Sequence, residues 1–244
     1  MDWNNRYVRI ARELGLSVKA DEEARNVLEN LGPLGSWSML KRRLAGKVVV
    51  VFGCGPSLAE DTGKFKAGEM KNAVTIVADG AAKALLERGI VPDVVVTDLD
   101  GDEESLINAG SLGAITIVHA HGDNIEKLKR LVPKLKGGVY GTAQVRTKGR
   151  VKNFGGFTDG DRAVYLAEHF KPKAILLAGM DFGRVIGAYS GTYDGKKKPK
   201  KLAIGKKLIE ELASETKVKM LNLTSGGEDI VGVPRKAWTA SAFF

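Results

Sequence analysis

"AVTIVADGAAKALLERGIVPDVVVTDLDGD", residues 73–102, decides the fold. Its first six residues are an apolar, partly β-branched run that stops at Asp79 and Gly80. Residues 81–89 then set alanines and leucines at helical spacing and end on a glycine. A second apolar run, Val94 to Thr97, follows and stops at Asp98, Asp100 and Asp102. Near-continuous apolar strands are buried on both faces. A helix between two such strands makes them run parallel, because the chain must cross back before the next strand starts.

The same form recurs outward from this unit. "KVVVVFGCG", "AITIVHAHGD", "GGVYGT" and "AILLAGMDFG" are apolar runs that end in glycine or a polar residue, and "NIEKLKRLVPKL" and "DRAVYLAEHF" read as helices. The pattern predicts an α/β fold, a mostly parallel sheet sandwiched by helices in Rossmann-like fashion, over residues 46–244. In such sheets ligands bind beyond the carboxyl ends of the strands, and the acids, glycines and histidines fall there. Residues 1–45 carry no strand pattern and read as an N-terminal helical annex. "DEEARNVLENLG" places Ala24, Val27, Leu28 and Leu31 on one face, with Asp21 as N-cap, Gly32-Pro33 as stop and "GPLGS" as the break. Near the end, "YDGKKKPKKLAIGKKLIEELASE" reads as a lysine-rich loop leading into an amphipathic helix with Leu202, Leu208, Ile209 and Leu212 inward. "VKMLNLTSGG" reads as a last strand.

Composition narrows the partners. The 244 residues are 43% hydrophobic, enough for one large domain with an annex. Lys and Arg number 38 and Asp and Glu 29, a formal charge of +9. That balance suits a phosphorylated small molecule, nucleic acid or anionic lipid, and equally plain solubility. Aromatic residues are only 7% and are not interleaved with basic ones, which argues against a nucleic-acid stacking platform. No run approaches the roughly 20 apolar residues of a membrane span. Cys54 is the single cysteine, so no internal disulfide forms, and a soluble cytoplasmic protein is expected. A homo-oligomer is left open.

Asp98 and Asp100, two apart on an extended backbone, would share a face about 6.5–7 Å apart at Cα. Two carboxylates so placed repel unless a cation lies between them, and hard oxygen donors suit Mg²⁺ with substrate phosphates. "DGD" is also ordinary turn chemistry. Asp79 with Gly80 suits a metal, a ribose hydroxyl or a helix cap. Gly53, Gly55, Pro56 and Ser57 form a tight turn whose amides would face a phosphate. It is no Walker A loop and only part of a dinucleotide fingerprint. His119 and His121 share a face, with Asp123 and Asn124 after them. A zinc centre would need further histidines, and His169 falls in a helix, so hydrogen bonding to substrate or a structural role is expected. "NFGGFTDGDRAV" sets Thr158, Asp159, Asp161 and Arg162 at a helix start, where acids also serve as caps. Thr142, Gln144, Arg146 and Lys148 make a polar strip suited to a heterocycle and phosphates. Lys196 to Lys201 reads as a solvated loop or a phosphate-neutralising flap.

Taken together, "GCGPSL", "ADGAAKALLERGIVPDVVVTDLDGD", "HAHGDN" and "NFGGFTDGDRAV" resemble the archaeal 6-hydroxymethyl-7,8-dihydropterin diphosphokinase family, the MptE-like proteins, over roughly residues 47–185. The middle motif is similar to the "DGGANxL…PDxIxGDxDS" pattern of thiamine pyrophosphokinases, with Thr97 and Gly101 replacing the glycine and serine. "FTDGDRAV" is similar to their "DxTDxxKA" segment, with Arg162 near the lysine. The resemblance implies Mg²⁺, ATP as co-substrate, pyrophosphoryl transfer to a pterin alcohol and release of AMP. It places Asp79, Asp98, Asp100 and Asp161 at the metal. Beside that set, the expected catalytic residues are Asp98, Asp100, Asp123 and Arg162. The expected nucleotide side is Gly53, Gly55, Pro56, Ser57, Asp79, Gly80, Thr142 and Lys148. The expected pterin side is Thr97, His119, His121, Asn124 and Gln144. A thiamine diphosphokinase, or a nucleotide- or sugar-nucleotide-binding module without kinase chemistry, are the competing readings.

Overall fold

The computed structural model describes residues 2–32, 34–65, 73–183, 185–191, 194–195 and 197–238. Three helices come first: α1 Trp3–Leu14, α2 Val18–Asn30 and α3 Trp37–Leu44. Strands and helices then alternate: β1 Val48–Phe52, α4 Leu58–Lys64, β2 Ala73–Ala78, α5 Ala81–Leu86, β3 Val94–Thr97, α6 Glu103–Ser111, β4 Ile115–Ala120, α7 Ile125–Leu131 and β5 Val139–Ala143. The chain closes with α8 Asp159–His169, β6 Ala174–Ala178, α9 Lys198–Glu215 and β7 Lys219–Asn222. No helix among the described residues is long and apolar enough to cross a membrane.

The seven strands form one parallel sheet in the order β5-β4-β3-β2-β1-β6-β7. Strand alternation divides the core in two. Val50, Phe52, Val77, Val95 and Val118 point to the face covered by α1, α2 and α4 to α7. Val49, Val51, Ile76, Val96 and Ile117 point to the face covered by α3 and α8, and α9 contributes Ile209 there. At ~1.5–3 kcal/mol for each fully buried aliphatic side chain, burial on both faces holds the strands. Polar chemistry is thereby left to their carboxyl ends. Order reverses once: the chain runs outward from β1 to β5, then returns to lay β6 against the other side of β1. That switch point opens a crevice between the ends of β1 and β6.

The N-terminal helices share these cores. Tyr7, Ile10, Ala11, Leu14, Ala24 and Leu28 join the first, and Leu40 and Leu44 the second. Two local expectations change, and a third is met as far as it is described. Asp21 is not the N-cap of α2; Ser17 is, accepting from the Ala20 amide at 3.2 Å, and Asp21 is buried inside the first turn. The helix ends at Asn30, with Gly32 beyond it, and Pro33 lies outside the described residues. The lysine run is mostly helix, not loop: α9 starts at Lys198 with Pro199 in its first turn, where a missing N–H costs nothing. Lys196 lies outside the described residues.

Candidate active site

A cavity of about 340 Å³ fills the crevice at the switch point. Gly53, Gly55 and Pro56 form one wall, and Gly179, Met180 and Asp181 after β6 form another. Asp79, Asp98, Asp100 and Asp123 come from the ends of β2, β3 and β4, and Asp159 from the start of α8. Lys197, Lys198 and Lys201 close the ring.

Carboxylate oxygens of Asp79, Asp98 and Asp159 lie within 4.8 Å of one another. Each is aimed by its own local structure. Asp79 follows β2 at a left-handed φ of 38° and accepts from Thr97 Oγ1 at 2.5 Å. Asp98 precedes Leu99, whose φ is 68°. That left-handed turn ends the strand, so the extended geometry expected of Asp98 and Asp100 does not hold. Asp98 joins the cluster, with His121 Nε2 3.6 Å from its Oδ2, whereas Asp100, though on the cavity wall, is outside the cluster and pairs with Lys127. Asp159 is the first residue of α8, and Arg162 one turn on donates to its Oδ1 and, at 2.8 Å, to the Phe157 carbonyl.

Electrostatics fit a cation position. Burial, then the Asp98 charge, pushes Asp79 up to about 7. Burial followed by the Asp98 charge also holds Asp159 well above the ordinary carboxylate range, with Arg162 opposing. Asp98 is pushed up by burial but pulled further down by His121, to about 2, so it carries the charge its neighbours avoid. Three hard oxygen donors gathered within reach of one ion are the donor set that Mg²⁺ takes. These residues fit the ion.

Other expected residues are placed differently. Asp161 is fully buried and outside the cluster. It accepts from the amides of Phe157 and Thr158 and from the Thr158 hydroxyl, completing a capping box that fixes the start of α8. Amides of the glycine turn are taken by partners within the chain. Those of Gly53 and Gly55 donate to the carbonyls of Ala178 and Gly179, at 2.9 and 2.8 Å, and that of Ser57 to Asp181. The Ser57 hydroxyl is also spent, on Asp181 at 2.8 Å. The glycines are there for close approach: a Cβ on Gly55 would lie 2.0 Å from Asp181 Oδ2 and 2.6 Å from the Gly179 carbonyl. Gly80 lies behind Asp79, outside the cavity wall.

Thr97 and Asn124 act behind the site. Thr97 holds Asp79, and Asn124 donates to the carbonyls of Asp98 and His119, each at 2.8 Å. His119 is buried against Thr142 Oγ1 at 3.1 Å and opens onto a separate cavity of about 10 Å³ that Arg162 also lines. Gln144 is buried with its carbonyl accepting from Trp3 at 3.0 Å, and Lys148 is exposed; neither reaches the main cavity. Cys54 lines the cavity but donates to the Ala78 carbonyl at 3.0 Å, and burial pushes its thiol up to about 12, which leaves no thiolate near neutral pH.

Fold and rim together define a parallel α/β protein with a carboxylate-lined cavity at its switch point, ringed by lysines. A model of the 6-hydroxymethylpterin diphosphokinase MptE-like family matches residues 24–187. The chain belongs to that family. Over 239 residues it is 41% identical to the 6-hydroxymethyl-7,8-dihydropterin pyrophosphokinase of Methanocaldococcus jannaschii, covering 90% of this chain and 98% of that one. With the protein of the same name from Pyrococcus furiosus the identity is 40% over 232 residues, covering 91% and 98%. In fold alone it resembles the MAf glycosyltransferase of Magnetospirillum magneticum AMB-1. The TM-score is 0.59 at 17% identity, over 92% of this chain and 39% of that protein.

Proposed function

We propose that this chain is a Mg²⁺-dependent diphosphokinase, which transfers the pyrophosphoryl group of ATP to 6-hydroxymethyl-7,8-dihydropterin and releases AMP. The observation that carries it is the convergence of Asp79, Asp98 and Asp159 in the switch-point cavity, in a chain that matches pyrophosphokinases of that name over nearly their full length. Residues 46–244 supply the catalytic domain and residues 1–45 its helical annex, in a cytoplasmic protein.

Asp79, Asp98 and Asp159 would hold the ion, which when bound offsets phosphate charge and polarises the phosphate oxygens. The pterin alcohol oxygen bonds to the β-phosphorus of ATP. The bond from that phosphorus to the α,β-bridging oxygen breaks, and AMP leaves with the electron pair. Lys198 and Lys201, on the first turns of α9, balance charge on the triphosphate. Asp123, exposed on the cavity wall, accepts the alcohol proton as the new bond forms. Arg162 fixes Asp159 and so contributes through it. Met180, Phe182 and Phe157 offer an apolar wall for a flat heterocycle.

The test is product analysis with Mg²⁺, ATP and the pterin alcohol. AMP and pterin diphosphate in equal amounts are expected, and thiamine in place of the pterin alcohol should give neither. AMP no higher than in an enzyme-free control overturns the reading.

A further inference from the structure

One buried carboxylate of the chain lies outside the cluster and is unused by the chemistry above. Asp21, in the first turn of α2, is only 4% exposed. Its Oδ2 accepts from the hydroxyl of Tyr7, which is 1% exposed, and its Oδ1 accepts from the Gly122 amide at 2.8 Å. Burying a carboxylate costs several kcal/mol unless strong donors replace water, so the position demands an account. Gly122 begins the tight 3₁₀ turn Gly122–Asn124 that follows β4. The helix sits directly on that turn: a Cβ on Gly122 would lie 2.5 Å from the Ala20 Cβ.

The turn in turn grips Asp98 from two sides. Asn124, 1% exposed, donates to the Asp98 carbonyl and accepts from the His121 amide at 3.1 Å. His121 Nδ1 accepts from the Asp123 amide at 3.3 Å, which leaves the ring proton on Nε2, the nitrogen facing the Asp98 carboxylate. Asp98 needs such a grip, because Leu99 beside it is held left-handed, a conformation costing a non-glycine residue ~1–2 kcal/mol that persists only where surroundings enforce it.

We infer that Asp21 is a positioning residue for Asp98: through the Gly122 amide it fixes the turn whose His121 and Asn124 hold Asp98 in the carboxylate cluster. Tyr7 and Asp21 both lie before residue 24, where the family match begins. The N-terminal annex thereby becomes part of the site without touching ligand. The inference rests on the reading of Asp98 as a metal ligand.

The experiment compares Asp21→Ala, Asp21→Asn and Tyr7→Phe in the full chain. Mn²⁺ affinity is read by electron paramagnetic resonance without substrate, amide hydrogen exchange at Leu99 and Gly122 by NMR, and kcat and KM by AMP release. For Asp21→Ala, Mn²⁺ binding should weaken and kcat fall by ~10-fold, as for other outer-shell partners, with faster exchange at Leu99 and KM for the pterin alcohol unchanged. Asp21→Asn keeps an oxygen for the Gly122 amide and should restore most of both. Folded Asp21→Ala protein with native Mn²⁺ affinity and native Leu99 exchange overturns the inference, even if it melts earlier. If that variant does not fold, Tyr7→Phe decides: a smaller loss of the same kind supports it, and native affinity and exchange overturn it. Wild-type protein that neither binds Mn²⁺ nor makes AMP sinks the catalytic reading instead, and Leu99 exchange alone then decides whether Asp21 holds Asp98.

Discussion

The ends of β1 and β3 lie on the same rim and do opposite things. After β1, two glycines bring backbone against backbone, and the freed amides are consumed by the end of β6. After β3, no glycine intervenes until Gly101, and the chain instead bends Leu99 into a left-handed turn to aim Asp98. The glycine-rich end is architecture, and the strained end carries a member of the carboxylate cluster. Strain in a non-glycine residue is therefore the better guide to the site here, because it has to be enforced by surrounding contacts.

The sharpest way to break this contrast is at the carboxylates. Asp98→Asn and Asp159→Asn should each lower kcat/KM by more than the ~10–100-fold typical of outer-shell partners, with far-UV circular dichroism unchanged. Asp100→Asn should stay within that range, since Asp100 faces Lys127. Equal losses at Asp98 and Asp100 would return the site to an extended strand end. At the glycine end, Gly55→Ala should cost stability by ~1–3 kcal/mol from overpacking, seen as a lower urea midpoint. A variant of native stability that has lost ATP affinity would instead make the turn a phosphate cradle.

A third expectation concerns pH. Asp79 is raised from its ordinary 3.8 to about 7, so the folded state keeps a proton that the unfolded chain has released. Stability without divalent ions should fall as pH rises from about 4 to about 7, by up to ~1.4 kcal/mol per unit. Asp159 is raised too and acts in the same direction. Asp98 is depressed, so its contribution is lost only as pH falls below about 4 towards 2. Thermal midpoints at pH 5 and pH 7 in EDTA should therefore differ, and Mg²⁺ should close the gap at pH 7; a flat profile in EDTA would deny the crowding of the three acids. The smallest effect belongs to Lys127→Ala, which breaks an exposed pair and should change stability by under ~1 kcal/mol by urea unfolding.

Much of the fold was legible because parallel strands buried on both faces read as unbroken apolar runs, and each expected strand from 48 to 222 is present. Strand order was not. Nothing in "AILLAGMDFG" says that it lies beside β1, so Met180 and Asp181 went unassigned although they wall the cavity. Asp98 and Asp79 stood out as acids at apolar strand ends. Asp159 and Asp161 are both acids at the same helix start, and only the capping-box spacing of Thr158 and Asp161 assigns the second to the helix and leaves the first free. The left-handed turn at Leu99 leaves no mark in composition, since leucine is a poor advertisement for it.

The three clustered acids come from β2, β3 and the crossover helix α8, segments far apart in sequence. A divalent ion there would rivet two neighbouring strands to the returning half of the chain. A nascent chain that has not yet delivered α8 has only two of the three jaws, so tight ion capture would report that the second half has docked.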